Sequence, residues 1–295
     1  MRVQKAGDLR WDIAELPPPA EGEVVVQTQL SAVSVASELS VALGHSPAHY
    51  PCSLGYQTLG RVTAVGKGAA LPLGTRVIST AGHVSASLQR AEALIQVPAH
   101  ISDLSALAVI LGEETHKGVR KLAPQPTERV LIAGAGLLGL LTLFNLTRRG
   151  VRNVTVIEPD ADRRALAQAF GAQQTAEPSE LTETEFDLGF ECSAAPAGFT
   201  ELLSRLRRDG RACILSDGNW GAFTLPPEFH GRELSVVASS DGENYHSYAE
   251  WLWAHPDLLL DRLFETRIEA EQLPETYQRL SSWPRPISLT VAWPQ

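Results

Sequence analysis

The arrangement in this chain best suited to chemistry is Gly134-Ala-Gly136-Leu-Leu-Gly139, with Glu158 nineteen residues beyond the last glycine. An apolar run, Val130-Leu-Ile-Ala133, enters this turn, and a helix-patterned stretch from Leu137 to Arg149 leaves it. That order suits a dinucleotide: Gly134 permits the tight turn, Gly136 lets the backbone approach a pyrophosphate, and Gly139 lets helix and strand pack closely. The N–H groups at the helix start, those of Leu137 and Leu138 among them, have no partner within the helix and present partial positive charge to phosphates. Asn153-Val-Thr-Val-Ile157 reads as the next strand and carries Glu158 to its tip, where ribose hydroxyls would be held. A carboxylate there accepts hydrogen bonds from a ribose and repels a 2′-phosphate, so NAD is expected ahead of NADP, with Arg163 and Arg164 just downstream as the residues that could favour NADP. The plain alternative is a βαβ unit that binds nothing.

Other polar residues fall where a pocket would need them. Ser193 follows the predicted strand Phe186-Asp-Leu-Gly-Phe-Glu-Cys192, at the carboxyl edge where open α/β sheets bind ligands, and is expected to contact the cofactor. Trp220 leaves the next strand at the same edge and reads as an aromatic wall of the substrate pocket, or else as a core or subunit-contact residue. Glu113, Glu114 and His116 cluster near the start of a domain connection, where Glu114 and His116 would meet the carboxamide or the substrate; imidazole titrates near neutral pH and suits proton transfer. A solvated charged face is the alternative for that cluster. Cysteines at 52, 192 and 213 form no CxxC pair and read as packing residues rather than a disulfide framework.

Two kinds of structure have to position these groups. The first hundred residues alternate with period two and are broken by Pro and Gly, as in Glu23-Val-Val-Val-Gln and Arg61-Val-Thr-Ala-Val-Gly, which predicts a small barrel-like β domain. From Ser102 to Leu122 the pattern becomes helical, and from Pro124 strands and helices alternate in the manner of a doubly wound parallel sheet. Residues 172 to 185 leave little room for one crossover helix. Ile287-Ser-Leu-Thr-Val-Ala-Trp293 returns to strand character and is expected to complete the first sheet. The domain expectation is 1–122 with 260–295 for the β domain, and 123–259 for the dinucleotide-binding domain.

Composition sets outer limits. With 295 residues, 44% hydrophobic and 20% charged, the chain has the make-up of an ordinary globular protein of two domains. A net charge of −9 argues against a nucleic-acid or anionic-membrane surface. With no apolar run of about 18 residues and no apolar leader at Met1, a cytoplasmic location is expected.

A β domain, a Rossmann domain and a C-terminal return resemble the medium-chain dehydrogenase/reductase superfamily, the alcohol-dehydrogenase-like enzymes. The Glu128–Gly136 strand and turn, the Phe186–Ser193 strand and Leu206-Arg-Arg-Asp-Gly-Arg-Ala-Cys-Ile-Leu carry the resemblance. It implies a Rossmann sheet plus a GroES-like β-barrel domain completed by the C-terminus, an NAD(P) cofactor, a small-molecule substrate, and assembly as a homodimer or homotetramer. The departures are as telling. In the zinc enzymes of this superfamily a Cys opens the metal site where Val35 stands here, and a Gly-His-Glu segment reads Gly55-Tyr56-Gln57, so two ligand positions hold Val35 and Tyr56. Zinc needs three protein ligands and an open position, so no catalytic metal is expected. Ser37-Glu38-Leu39 and Gly55 to Val62 are most similar to a subgroup associated with bacteriochlorophyllide dehydrogenase.

Without zinc, a side chain has to polarise the carbonyl or move the alcohol proton. The resemblance implies that role for Ser37, with Glu38 beside it contacting substrate; Tyr56 would donate a hydrogen bond from the former ligand position. A capping hydroxyl and a space-filling ring are the alternatives. His83 lies where relatives carry a histidine near the active site. The resulting expectation is a zinc-independent oxidoreductase acting on an alcohol or carbonyl. A non-catalytic NAD(P)-binding sensor or structural subunit, and a quinone or enone reductase, remain open beside it.

Overall fold

The computed structural model describes residues 1–46, 48–216, 221–282 and 285–294. Its chain divides into two compact units, Met1–Ile110 with Tyr245–Gln295 and Leu111–Asn244.

In the second unit the strands Val130–Ala133, Val154–Ile157, Gln174–Ala176, Phe186–Glu191, Leu206–Ile214 and Ser235–Ala238 form one sheet. Every pairing is parallel. Numbered along the chain, their spatial order is 3-2-1-4-5-6, the doubly wound arrangement whose switch point lies between the first and fourth strands. All four residues of Val130–Ala133 are buried, as a parallel strand covered on both faces requires. The Leu137–Arg148 helix follows at once and is buried along nearly its whole length. Its Asn145 donates from Nδ2 to Gly112 O and Thr115 Oγ1, both at 3.0 Å, fixing it to the Val109–Leu122 helix. No helix separates Gln174–Ala176 from Phe186–Glu191, which agrees with the short crossover read from the sequence.

The first unit is built on a seven-stranded sheet. Its long strand Glu23–Val33 pairs antiparallel with Gln57–Val65 and with Ala86–Arg90. Leu289–Ala292 returns from the far end of the chain and pairs antiparallel with Glu23–Val33 in the register Leu289 to Val33. Val24, Val26, Val62, Leu71, Val77 and Leu94 form one buried apolar cluster within it.

Local boundaries moved where packing overrode pattern. The helical stretch of 102–122 is two helices, Asp103–Leu107 and Val109–Leu122, with Ala108 as the C-cap of the first. The units change over at 110/111 and 244/245, against 122/123 and 259/260 in the sequence reading. The Tyr245–Ala254 helix accounts for the second shift: it packs on the Ile95–Gln96 strand, and its Trp253 carbonyl accepts from His100 Nε2 at 3.4 Å. No helix among the described residues is long and apolar enough to cross a membrane.

At Gly139 a Cβ would lie 1.9 Å from the Gly134 carbonyl oxygen. We expect Gly139→Ala to displace backbone and destabilise the protein by roughly 1–3 kcal/mol, seen as a drop in Tm.

Candidate functional site

The glycine turn of the second unit has the form that a phosphate cradle needs. Gly134 sits at φ +96°, in the left-handed region, with its backbone against Ser193; a Cβ there would be 2.9 Å from the Ser193 Cα. Gly136 is the N-cap of the following helix, with no side chain capping that end, and a Cβ on it would meet nothing within 4 Å. The first N–H groups of the helix, including those at Leu137 and Leu138, thus keep their partial positive charge beside open space. Glu158, 4% exposed, accepts from Ala135 N–H inside the turn at 2.8 Å through Oε2 and from Asp160 N–H at 3.1 Å through Oε1. Arg164 Nη1 donates to the Glu158 and Pro159 carbonyls at 2.7 and 2.6 Å.

Ser193 borders this turn through its backbone, but its hydroxyl is engaged inward. That hydroxyl donates to Glu191 Oε1, as does the Ser193 N–H at 2.8 Å, while Ser216 donates to Glu191 Oε2. Glu191 is fully buried, and burial pushes its carboxyl up despite these donors. It thereby ties together the ends of two neighbouring strands at the carboxyl edge. In the sequence Glu191 is one residue of the Phe186–Cys192 strand pattern, and nothing beside it marks this role. Trp220 lies outside the described residues.

The Glu113, Glu114 and His116 cluster resolves into distinct roles. Glu113 is fully buried and takes Arg120 Nη1 and Nη2 at 3.0 and 2.9 Å, and Asn244 N–H at 3.1 Å. His116 Nδ1 lies 3.0 Å from Glu113 Oε2, and Arg149 donates to His116 Nε2. Arg120 Nη1 also lies 2.7 Å from Nδ1, so both imidazole nitrogens are engaged inside the unit. Burial also lowers the His116 pKa, with the charges of Arg149 and Arg120 adding to it against Glu113. Burial raises Glu113, but His116, Arg120 and the Asn244 N–H outweigh it and bring the carboxyl to about 2. Glu114 goes the other way: burial, then Asp241 and Glu113, push it up to about 7 against the pull of Lys117.

In the first unit the residues read as catalytic sit beside a second polar cluster. Ser37 and Glu38 lie on the Val35–Leu43 helix, Ser37 half-buried and Glu38 only 3% exposed. The Ser37 hydroxyl makes no hydrogen bond to a described residue. Glu38 Oε1 accepts from the Ser34 N–H at 2.7 Å; Oε2 takes the Tyr277 hydroxyl at 2.5 Å and His83 Nε2 at 2.9 Å. His83 Nδ1 reaches Ser31 Oγ at 2.8 Å, which Trp293 Nε1 also contacts at 3.0 Å. Burial pushes the Tyr277 phenol well above its usual range; the charge and hydrogen bond of Glu38 and the proximity of Tyr56 add to this. Tyr56 itself is half-buried, and the neighbouring Gln57 buries its amide without a hydrogen-bond partner among the described residues. Val35 presents hydrocarbon at 8% exposure. Among the described residues no group of three or more His, Cys, Asp or Glu is arranged to hold a metal ion.

These two sites sit in a recognised architecture. The whole chain superposes on a candidate zinc-binding dehydrogenase of Sinorhizobium meliloti 1021 bound to NADP, with TM-score 0.84 and 18% identity, covering 99% of this chain and 98% of that one. It superposes equally on acetophenone reductase of Geotrichum candidum in complex with NAD, with TM-score 0.85 and 18% identity over 99% and 95% of the two chains. The fold is that of these dehydrogenases. In sequence, it is 31% identical over 160 residues to L-threonine 3-dehydrogenase of Pectobacterium carotovorum, which covers 47% of this chain and 46% of that protein. The chain thus spans about half the length of the curated relatives it matches. No family model matches it.

Glu113 and Glu114 make opposite pH predictions. Glu113 ionises near 4.5 when unfolded and about 2 when folded, so its contribution to stability is complete above pH 4.5 and disappears as pH falls through about 2. Glu114 ionises near 4.5 unfolded and about 7 folded, so its contribution is complete below pH 4.5 and is lost as pH rises through about 7. Thermal melts across pH should show Glu113→Gln losing part of the acid dependence between pH 4.5 and about 2, and Glu114→Gln gaining relative to the parent above pH 7.

Proposed function

We propose that the protein is an NAD(P)-dependent oxidoreductase that moves a hydride between nicotinamide and an alcohol or carbonyl substrate, with NAD preferred and no catalytic zinc. The observation that carries this reading is Glu158, buried at the tip of its strand and bonded to Ala135 within the glycine turn. Each carboxylate oxygen has a second lone pair beyond the one used by the backbone, so ribose hydroxyls can still be accepted. A 2′-phosphate would meet that charge, and Arg164 beside it is already engaged with main-chain carbonyls. The bound nicotinamide supplies the hydride acceptor or donor. The uncapped helix start holds the diphosphate, and Ser193 with Glu191 shapes the edge next to it.

On the first unit, the half-buried Tyr56 phenol serves as hydrogen-bond donor to a carbonyl oxygen, and the Ser37 hydroxyl passes the substrate proton. The donor set supports the metal-free reading: Val35 offers no ligand, and Glu38 and His83 bind each other. The same loss of ligands supports a second reading, an NAD(P)-binding protein without turnover. Under the first reading the partner is a small molecule, self-assembly is as a dimer or tetramer, and Glu114 is the residue of the 113–116 cluster that would meet substrate. The resemblance of residues 37–39 and 55–62 to the bacteriochlorophyllide dehydrogenase-like subgroup supplies no substrate.

A panel of alcohols, aldehydes, ketones and enones, followed by NADH absorbance, tests the two readings. Turnover that survives chelation and falls about a hundred-fold in Tyr56→Phe or Ser37→Ala supports the enzyme; tight cofactor binding with no turnover supports the sensor. Glu158→Ala should weaken NADH about ten-fold and narrow its lead over NADPH, as read by nicotinamide fluorescence. Tighter NADPH than NADH in the parent protein would overturn the NAD preference.

A further inference from the structure

The parallel sheet of the second unit changes direction between its first and fourth strands. Glu191 is the last residue of the fourth strand and pairs with Ala133, the last residue of the first. In a doubly wound sheet a dinucleotide lies across the crevice at this point, one mononucleotide half on the first three strands and the other on the last three. The glycine turn and Glu158 belong to the first half and suit the adenosine end. The nicotinamide end then falls to the segments that leave the fourth and fifth strands, Phe186–Glu191 and Leu206–Ile214.

Glu191 holds both of those segments. Its Oε1 accepts from the Ser193 N–H at 2.8 Å and from the Ser193 hydroxyl, and its Oε2 accepts from the Ser216 hydroxyl. Its main-chain carbonyl takes the Leu215 and Ser216 N–H groups at 3.0 and 3.3 Å. Ser193 is held from a second side as well, since its Oγ accepts from the Ala195 N–H at 3.1 Å and Gly198 leaves no room for a Cβ beside that oxygen. Between these contacts Ala194 sits at φ +60°, a left-handed conformation that a residue with a Cβ keeps only where its surroundings enforce it. The Ser193 backbone so held is the one that lies against Gly134. The grip on the fourth-strand segment therefore reaches the wall of the crevice.

We propose that Glu191 is the positioning residue of the nicotinamide half of the cofactor site: by holding Ser193 and Ser216 it fixes the two segments on which the nicotinamide mononucleotide rests, while the adenosine half relies on the glycine turn and Glu158. An apolar side chain would fill a buried strand end at less cost than a carboxyl removed from water. What the carboxyl adds is direction, because each donor has to stand in line with one of its oxygens. The inference rests on the dinucleotide site given under the proposed function.

The test needs no substrate. NADH and AMP, the whole cofactor and its adenosine half, are titrated separately by calorimetry into the parent protein, Glu191→Ala, Glu191→Gln and Ser216→Ala. Glu191→Ala is expected to weaken NADH about ten-fold and to leave AMP within about two-fold of the parent. Glu191→Gln keeps an oxygen for the Ser193 N–H and should recover part of the NADH loss. A residue that merely stabilised the sheet would lower both affinities together, so AMP weakening in step with NADH overturns the proposal, as does unchanged NADH binding in a folded Glu191→Ala. If Glu191→Ala does not fold, Ser216→Ala decides: it removes one tie and leaves Glu191 in place, so NADH should weaken about three-fold with AMP unmoved. Equal effects on the two ligands, or none, overturn the proposal there too. A parent that binds neither ligand overturns the cofactor reading along with this inference; a parent that binds both, with variants that do not separate them, sinks this inference alone.

Discussion

A carboxylate removed from water has to be given donors in return, or it costs several kcal/mol and gives up its charge. Among the described residues this chain buries four glutamates: Glu38, Glu113, Glu158 and Glu191, at 3%, 0%, 4% and 0% exposure. Each is surrounded by main-chain N–H groups, hydroxyls, imidazole or guanidinium, and each gathers segments that are apart in sequence. Glu158 joins a strand tip to the glycine turn, Glu191 joins two strand ends, Glu113 joins a helix to the 243–244 segment, and Glu38 joins a helix, a loop and the C-terminal return. The polar architecture is in this sense a set of anions, each dictating where its donors must stand.

That principle also bears on the positions that the resemblance assigns to metal ligands. A metal site needs deprotonated or neutral donors aimed at one point with lone pairs free. Here Glu38 Oε2 accepts from Tyr277 and meets His83 Nε2, Oε1 accepts from the Ser34 N–H, and His83 Nδ1 meets Ser31 Oγ. Hydrocarbon at Val35 and a phenol at Tyr56 fill the positions that the resemblance assigns to ligands.

How much of this was legible in the sequence followed the range of the interactions. The glycine turn, its helix and Glu158 lie within thirty residues and obey local rules, so their elements were readable to within a residue or two. The C-terminal strand was visible from its alternation. Tyr277 was not, because nothing near it in sequence marks a phenol whose partner is 239 positions away. Trp293 and Ser31, 262 apart, were hidden for the same reason. Glu38 could be singled out only through a family pattern, since a helical glutamate usually faces water, and His83 became intelligible only once its two neighbours were in place. The cluster at 113–116 was noticed, but composition does not reveal that His116 has both nitrogens occupied. The unit boundary near 245 depended on which sheet a helix packs against, information that periodicity does not contain.

The C-terminal return has a consequence for how the molecule comes into being. Leu289–Ala292 lies beside Glu23–Val33 in the sheet, and Trp293 and Tyr277 hydrogen-bond residues made more than two hundred positions earlier. On the ribosome, the early strands must wait with one edge uncovered and one buried acid unneutralised while all of Leu111–Asn244 is synthesised. That intervening segment has every strand of its own sheet and can fold first. Loop closure across such a span is slow, so the waiting half is the part of the nascent chain most exposed to mispairing. Chaperone dependence, if the protein has any, should therefore track the first unit and ease only when the last strand emerges.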